Sequence, residues 1–259
     1  MLRRGLSPNP IEGMNMKMLG RLANATLNPF GLEMRRIESA KPWDSSFASW
    51  IAKAQEQGRD PNDIADETWG DVRHLIDKYY LPHLSPDKTV LELGPGSGRI
   101  TRHLVDRCGE LKVVDFSDFV IQWITEYLKS KQKHNFRAFK INDCLLTPIA
   151  DASIDVIVSD GVFHHIDLED FHRYLVSFNR VLVPGGALAL NFVNLMAPEG
   201  YERFRVHAEG SNERDAFRWY HPEAVSLLFR NLGFERIEVH RERVLAGDFV
   251  TYVTCWRAQ

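Results

Sequence analysis

The sequence of 259 residues has few of the features that mark membrane or disulfide-rich proteins. Its three cysteines, Cys108, Cys144 and Cys255, lie far apart and form no Cys-x-x-Cys pair, so neither a zinc site nor a disulfide framework is expected. No apolar run reaches the length that spans a bilayer, and the first residues lack the apolar core of a signal peptide. We therefore predict a cytoplasmic protein without stable membrane insertion.

The chain also has no excess of positive charge. Its formal net charge is −3, so the composition does not favour nucleic acid as a partner, since proteins that hold nucleic acid carry a basic surface. Apolar residues make up 44% of the sequence, which is ordinary for a globular protein. A chain of this length suits one large domain, or one domain with a cap.

The most informative stretch of the chain runs from Thr89 to Thr101. It begins with a short apolar segment that predicts a buried strand, and three glycines then alternate at Gly94, Gly96 and Gly98. Glycines let the backbone adopt positive φ and pass close to a ligand. The apolar-periodic residues that follow predict a helix, whose N-terminus would add free N–H groups. This order of strand, glycine loop and helix predicts a ligand-binding loop.

The spacing of these glycines separates two classes of ligand. A dinucleotide-binding loop has the pattern Gly-x-Gly-x-x-Gly, whereas here the third glycine comes one residue early and Arg99 stands in its place. Glu92 lies two residues before the first glycine. A carboxylate at this point would repel a pyrophosphate, but it would suit a ligand with a cationic amino-acid end. A nicotinamide-dependent dehydrogenase is therefore disfavoured.

The run Glu92-Leu-Gly-Pro-Gly-Ser-Gly resembles the first motif of class I S-adenosylmethionine-dependent methyltransferases. In that family the loop wraps the methionine part of the cofactor, and the acid lies near its amino group. The resemblance covers about residues 86–256 and implies S-adenosylmethionine as the cofactor. Strand and helix patterns alternate from residue 88 onward, which predicts a parallel sheet with helices on both faces. The family fold would be α/β, a doubly wound, mostly parallel seven-stranded sheet with an antiparallel last strand.

Further cofactor contacts are expected after the next strands. Asp115 ends the second strand about 20 residues beyond the loop, where an acid can bind ribose hydroxyls, and Phe116 can pack on the adenine. Asp143 matches the family position whose carboxylate accepts a hydrogen bond from the adenine amine, although its alternative role is that of a turn residue. Cys144 and Asp160, at the ends of the third and fourth strands, complete the predicted cofactor-binding set.

Two consecutive histidines, His164 and His165, follow the fourth predicted strand. Doubly wound sheets bind ligands beyond the carboxyl ends of their strands, so this exit loop is the expected place for reacting groups. Histidine is the side chain best suited to take a proton near neutral pH. The family often has a histidine at the second position, which favours His165 as general base and leaves His164 as second choice. In the alternative interpretation, one ring caps the next helix and the other is buried.

The segments around this core predict a cap and a lid. Residues 1–84 are predicted as an N-terminal helical cap or extension, and residues 85–259 as the S-adenosylmethionine-binding domain. The aromatic, charged connection at residues 194–220 is predicted as a substrate lid, with a surface insertion that has its own small core as the alternative. In the cap, Trp69, Tyr79 and Tyr80 are candidates to line an acceptor pocket, although aromatic core packing is favoured for each taken singly.

These patterns predict methyl transfer from S-adenosylmethionine to a small-molecule acceptor, at a hydroxyl group and with a histidine base. An N-methyltransferase of a small molecule and a non-catalytic S-adenosylmethionine-binding or partner protein stay as alternatives. The Asn/Asp-Pro-Pro-aromatic motif that is usual for nucleic-acid N-methylation does not follow strand four. The nearby polar residues Asp160, Asn191 and Asn194 offer few carboxylates for a hard cation, so no metal site is predicted. A homodimer is a further expectation.

Overall fold

A single mixed sheet organises the part of the chain that the structure describes. The structure is a computed structural model, and it describes residues 41–210, 217–244 and 248–259. The strands of the sheet are β1 (Thr89–Leu93), β2 (Glu110–Asp115), β3 (Phe136–Lys140), β4 (Ile154–Ser159), β5 (Leu182–Val193), β6 (Phe234–Val244) and β7 (Asp248–Arg257). Their order across the sheet is β3-β2-β1-β4-β5-β7-β6.

Strands β1 to β5 pair in parallel, and β7 runs antiparallel to both of its neighbours, β5 and β6. Parallel neighbours need crossover connections that cover the faces of the sheet, so the inner strands are apolar on both sides. On β4, for example, Val156, Ile157 and Val158 are all fully buried. The prediction of a doubly wound, mostly parallel sheet with an antiparallel last strand is confirmed.

The helices pack on both faces of this sheet. They are α1 (Lys41–Glu56), α2 (Pro61–Trp69), α3 (Arg73–Tyr79), α4 (Thr101–Leu104), α5 (Asp118–Ser130), α6 (Leu168–Val181), α7 (Pro198–Gly210) and α8 (Pro222–Asn231). Helix α5 begins where the Ser117 hydroxyl accepts a hydrogen bond from the Val120 amide at 2.9 Å, which satisfies one of the free N–H groups at a helix start. Helix α6 buries Phe171, Leu175 and Phe178, spaced to lie on one face.

Two elements differ from the sequence-based expectation. The helix that follows the glycine loop is α4, and it is only four residues long, so its dipole adds little to the loop. Strand β5 begins at Leu182, before the Pro184-Gly185-Gly186 segment that predicts a turn. The pairing of β4 with β5 shifts its register there, and Gly185 adopts a positive φ of 75°. The predicted turn is therefore a bulge within the strand.

Parts of the predicted cap and lid fall outside the described residues. These parts are residues 1–40 of the cap and residues 211–216 of the lid, so the cap boundary at residue 84 and the role of the lid stay predictions. Within the described part, helices α1 to α3 belong to the same compact unit as the sheet. No helix in the described ranges has both the length and the apolar character needed to cross a membrane.

Candidate active site

Most of the residues predicted to bind a cofactor meet at the carboxyl edge of the sheet. In the parallel register, Glu92 on β1 lies opposite Val113 on β2 and Val158 on β4. The amide of Gly94 continues this alignment by donating to the Val114 carbonyl at 2.9 Å. The end of β1, the Asp115 end of β2 and the exit of β4 are thus brought side by side, as expected for a ligand site in a doubly wound sheet.

The glycine loop is tightly enclosed by other parts of the protein. Gly94, Gly96 and Gly98 all have positive φ, at 74°, 53° and 96°, a region that glycine adopts at little cost. A Cβ atom on Gly94 would lie 2.4 Å from the Val162 side chain, and one on Gly96 would lie 3.2 Å from the ring of Phe47 in α1. Because these glycines have no side chains, α1 and the β4 exit loop can pack directly against the glycine loop. A ligand can approach the backbone of the loop closely for the same reason.

Buried hydrogen bonds from Asn62 join α2 to the glycine loop. Asn62 in α2 is fully buried, and its amide nitrogen donates to the Ser97 carbonyl at 3.1 Å. The Ser97 hydroxyl in turn donates to the Asn62 side-chain oxygen at 2.7 Å. The indole of Trp123 in α5 donates to the same carbonyl at 3.0 Å. Because both polar groups of Asn62 are used, this side chain fixes the middle of the loop.

We expect Asn62→Ala to weaken cofactor binding without preventing folding. The substitution leaves the buried Ser97 hydroxyl without its acceptor, at a cost of about 1–3 kcal/mol, while the Ser97 carbonyl keeps its hydrogen bond from the Trp123 indole. Calorimetry with S-adenosylhomocysteine should give a higher Kd, and a lower unfolding midpoint should accompany it. The control is Gln122→Ala, which removes only an exposed hydrogen bond between Gln122 and Glu126. Unchanged affinity in Asn62→Ala would contradict this role of Asn62.

Glu92 is the most deeply buried acid of the site. It is 2% exposed, and its Oε2 atom has no hydrogen-bond partner among the described residues. Burial raises the pKa of Glu92 to about 8, and the nearby carboxylates of Asp160 and Asp115 act in the same direction. A buried acid with an unpaired oxygen is costly unless a ligand donates to it. The residue therefore suits a cationic, hydrogen-bonding group.

Asp160 follows β4 and is held by three donors. Its Oδ2 atom accepts from the Tyr80 hydroxyl at 2.6 Å, the Asn191 amide at 2.9 Å and the Tyr252 hydroxyl at 3.5 Å. Burial raises the pKa of Asp160, against the effect of these donors and of the Arg99 charge. A metal ion would need the Asn191 oxygen, and that oxygen accepts a hydrogen bond from the Gly161 amide at 2.8 Å. The described ranges also contain no group of three or more potential metal ligands.

The acids after β2 and β3 have different surroundings. Asp115 accepts from the Ser117 amide at 2.8 Å, and burial raises the pKa of Asp115 to about 6. Phe116 and Cys144 lie against Tyr174 in α6, with an edge-to-face distance of 6.5 Å between the two aromatic rings. Asp143 is exposed and accepts from the Leu145 amide at 2.9 Å. Its side chain thus forms a turn, and a contact of Asp143 with adenine stays a prediction.

The two histidines lie in a short 3₁₀ turn, Phe163–His165, directly after the β4 exit. In a regular strand, two consecutive side chains would point to opposite faces, but this turn brings the two rings within 4.2 Å of each other. His164 stacks on Phe217 at 5.2 Å, and its Nδ1 has no partner in the described part of the chain. Burial keeps the pKa of His164 well below its usual range, and the charges of His165 and Arg203 add to this effect.

The end of the predicted lid contacts this turn. The amide of Arg218 donates to the His164 carbonyl at 2.6 Å, and the amide of Tyr220 donates to Val193 on β5 at 3.0 Å. The Tyr220 hydroxyl donates to the Ile166 carbonyl. Residues 217–220 are therefore fixed against the β4 exit loop, with Phe217 between the His164 ring and the guanidinium of Arg203 at 4.7 Å.

The residues that hold the site together are mostly absent from the sequence-based prediction. The sequence makes Tyr80 a candidate to line an acceptor pocket, whereas in the structure it is fully buried and donates to Asp160. The sequence indicates Asn191 only as a possible metal ligand and Phe217 only as part of the aromatic connection at residues 194–220, and it assigns Asn62 and Tyr252 no role in the site. A polar side chain within an apolar run, such as Asn191 in β5, is the one sequence signal that could have indicated such a role.

The residues at this edge fit S-adenosylmethionine. The cofactor has a cationic amino-acid end, and the site offers the unpaired Glu92 oxygen beside Asp160. Its adenosine part needs a hydroxyl-binding acid and an apolar surface, which Asp115 and Phe116 offer at the neighbouring strand end. The donor and acceptor groups of the chain therefore fit the same cofactor that the sequence motifs predict.

Comparisons with known proteins also indicate a methyltransferase domain. Residues 91–190 match the family model described as "Methyltransferase domain". Phosphoethanolamine N-methyltransferase 1 of Triticum aestivum is 26% identical over 160 residues, which are 61% of this chain and 30% of that protein. Malonyl-(acyl-carrier protein) O-methyltransferase of Xylella fastidiosa (strain M23) is 31% identical over 101 residues, 39% of this chain and 33% of that protein. The chain thus matches about a third of the length of these curated relatives.

A solved structure supports the fold. The SAM-dependent methyltransferase from Aquifex aeolicus superposes with a TM-score of 0.53 at 19% identity, over 72% of this chain and 89% of that one. An identity this low shows the shared fold alone. The family match, however, begins in β1 and ends in β5, so it contains the glycine loop, the Asp115 end of β2 and the β4 exit loop. Residues 91–190 therefore match a methyltransferase domain, and the chain shares its fold with solved S-adenosylmethionine-dependent methyltransferases.

Proposed function

We propose that this chain transfers a methyl group from S-adenosylmethionine to a hydroxyl group of a small-molecule acceptor, with His165 as general base. The observation that carries the proposal is the contact between Val162 and the glycine loop. A Cβ on Gly94 would come within 2.4 Å of the Val162 side chain, and His165 follows only three residues later in the same turn. The candidate base is thus on the segment that closes the cofactor loop.

The chemistry asks little of the protein beyond positioning and proton removal. S-adenosylmethionine supplies an activated methyl group on a sulfonium. The protein has to orient the acceptor and to take one proton when the acceptor is a hydroxyl. The His165 ring lies 4.2 Å from the His164 ring and 5.1 Å from the Phe217 ring. These neighbours limit the motion of the imidazole, which supports its assignment as the base.

The acceptor is proposed to bind beside the histidine turn, against the aromatic side chains of residues 198–210 and 217–220. The ring of Trp219 lies 5.4 Å from that of Phe204 and 6.1 Å from that of Phe217. Such rings offer a large apolar surface with polar edges, which suits a small organic acceptor better than a folded macromolecule. The net charge of −3 also does not favour nucleic acid. A cytoplasmic location and a homodimer stay predictions.

Nitrogen is the second candidate acceptor atom. The names of the two curated relatives describe an N-methyltransferase and an O-methyltransferase, so both reactions occur among proteins with this domain. An amine needs no base during the transfer itself, whereas a hydroxyl does. The effect of removing His165 therefore separates the two candidates. A non-catalytic S-adenosylmethionine-binding protein is the remaining alternative.

Binding and transfer assays test the proposal in two steps. Calorimetry with S-adenosylmethionine, S-adenosylhomocysteine and NAD should show binding of the first two and none of the third. A screen with methyl-labelled cofactor against pools of metabolites, peptides and nucleic acids should then label a metabolite. Binding of NAD alone would reject the cofactor, and strong labelling of RNA or protein would reject the small-molecule acceptor.

A further inference from the structure

Asp160 is the one acid of the site that several distant elements hold in place. The three donors to its Oδ2 atom come from the end of α3, from β5 and from β7. Tyr80 gives the shortest of these hydrogen bonds, at 2.6 Å, and its side chain is fully buried. A short hydrogen bond from a hydroxyl to a carboxylate is among the stronger kinds in proteins. Tyr80 therefore determines where this oxygen lies.

Asn191 is a second donor to the same carboxylate oxygen. Its Oδ1 accepts from the Gly161 amide at 2.8 Å, while its Nδ2 donates to Asp160 at 2.9 Å. A backbone N–H can only donate, so the oxygen of Asn191 must face Gly161 and the nitrogen must face Asp160. Asn191 is 4% exposed and pairs in register with Tyr252 on β7. The orientation of the amide is thus unambiguous.

These donors leave one oxygen of Asp160 for another group. All three reach Oδ2, so Oδ1 is the oxygen that can take a further donor. The Asp160 carboxylate also lies close enough to the buried Glu92 for the two acids to repel each other electrostatically. Glu92 pairs in register with Val158, two residues before Asp160, and two neighbouring acids favour a cation close to them. The cationic group of S-adenosylmethionine that can donate hydrogen bonds is the ammonium of its amino-acid end.

We propose that Tyr80, supported by Asn191, is a positioning residue that holds Asp160 so that its second oxygen binds the ammonium group of the cofactor. This inference rests on the proposed function for the identity of the ligand. It assigns to the end of α3 a role in cofactor recognition, rather than the acceptor-lining role that its aromatic side chain suggests. Tyr80 acts through Asp160 and is not itself a catalytic residue.

Two ligands that differ at the amino-acid end provide the test. S-adenosylhomocysteine contains the ammonium group, and 5′-methylthioadenosine contains the same adenosine part without it. Calorimetry should show that Tyr80→Phe raises the Kd of S-adenosylhomocysteine roughly 5–20-fold, as expected from the loss of a hydrogen bond to a charged group. The Kd of 5′-methylthioadenosine should stay within about twofold of the wild type, because that ligand does not use Asp160.

Tyr79→Phe is the matched control. Tyr79 precedes Tyr80 in the chain, but its hydroxyl donates to Glu242 rather than to Asp160, and its ring stacks on Tyr252 at 4.5 Å. The substitution should change the Kd of neither ligand. If Tyr80→Phe does not fold, Tyr252→Phe removes the longer contact of 3.5 Å to the same oxygen. That variant should give a smaller change, again only for S-adenosylhomocysteine.

A double-mutant cycle shows whether Tyr80 acts through Asp160. Asp160→Asn should raise the Kd of S-adenosylhomocysteine more than Tyr80→Phe does. In the Asp160→Asn background, Tyr80→Phe should raise this Kd little further. Additive losses, equal losses for both ligands, or no loss in Tyr80→Phe would each overturn the inference. If the wild-type protein binds 5′-methylthioadenosine and S-adenosylhomocysteine equally well, the inference fails while the proposed cofactor stands. If it binds neither, both fail.

Discussion

Gly94→Ala is expected to abolish measurable cofactor binding, and Val162→Ala is expected to restore part of it. Gly94 has a φ of 74°, which costs a residue with a side chain about 1–3 kcal/mol. The new Cβ would also lie 2.4 Å from Val162 Cγ2, and overpacking of this kind typically costs a further 1–3 kcal/mol or so. The loop and the β4 exit would have to separate, which disturbs the cofactor loop and the histidine turn together.

The compensating substitution isolates the steric part of this effect. In Val162→Ala both Cγ atoms are removed, and the remaining Cβ would lie 3.6 Å from the new methyl group, an ordinary contact. In the double variant, the free energy of unfolding should therefore be lowered only by the strained backbone at residue 94 and by the missing methyl groups of Val162. Denaturant unfolding should give a favourable coupling of about 1–3 kcal/mol between the two sites, and calorimetry with S-adenosylhomocysteine should recover binding.

Gly58→Ala is the control for backbone strain. Gly58 has a similar φ of 63°, but a Cβ there would meet nothing within 4 Å. This variant should be destabilised only by the positive φ of its backbone, and it should bind S-adenosylhomocysteine with the affinity of the wild type. If Val162→Ala fails to improve Gly94→Ala, the Val162 contact is not what requires glycine at this position, and the need for space around the ligand would be the better explanation.

The sequence predicts the fold well because the fold depends on local patterns. Alternating strand and helix segments specify a parallel sheet, and Glu92, Asp115 and Asp160 are recognisable because each stands at the end of an apolar strand. Since the carboxyl ends of parallel strands share one edge, these acids must come together whatever the details of packing. The same reasoning predicts the location of the histidine turn after β4.

The contacts that hold these residues in place could not be predicted in this way. Tyr80 meets Asp160 across 80 positions of sequence, and Asn62 meets Ser97 across 35, and no periodicity links such partners. A buried tyrosine at helical spacing has the same pattern whether it packs in a core or bonds to a site. Likewise the bulge at Gly185 depends on how β5 pairs with β4, which the β5 sequence alone does not determine.

His164→Ala tests whether His164, rather than His165, is the general base. Burial keeps the pKa of His164 well below its usual range, so its ring stays neutral at neutral pH and cannot produce a change of rate there. Its loss should remove the stack on Phe217 and cost about 0.5–1.5 kcal/mol of stability. Turnover should fall only modestly. A collapse of turnover in His164→Ala with His165→Ala intact would transfer the role of base to His164.

His165→Ala is expected to lower turnover roughly 10²–10⁴-fold, the usual range for the loss of a general base. Binding of S-adenosylhomocysteine should be nearly unchanged, because no cofactor contact is assigned to this side chain. In the wild type, the rate with a hydroxyl acceptor should rise with pH as the base loses its proton. The variant should lose this rise. Full activity of both single variants would show that no base is needed, which favours transfer to nitrogen or catalysis by proximity alone.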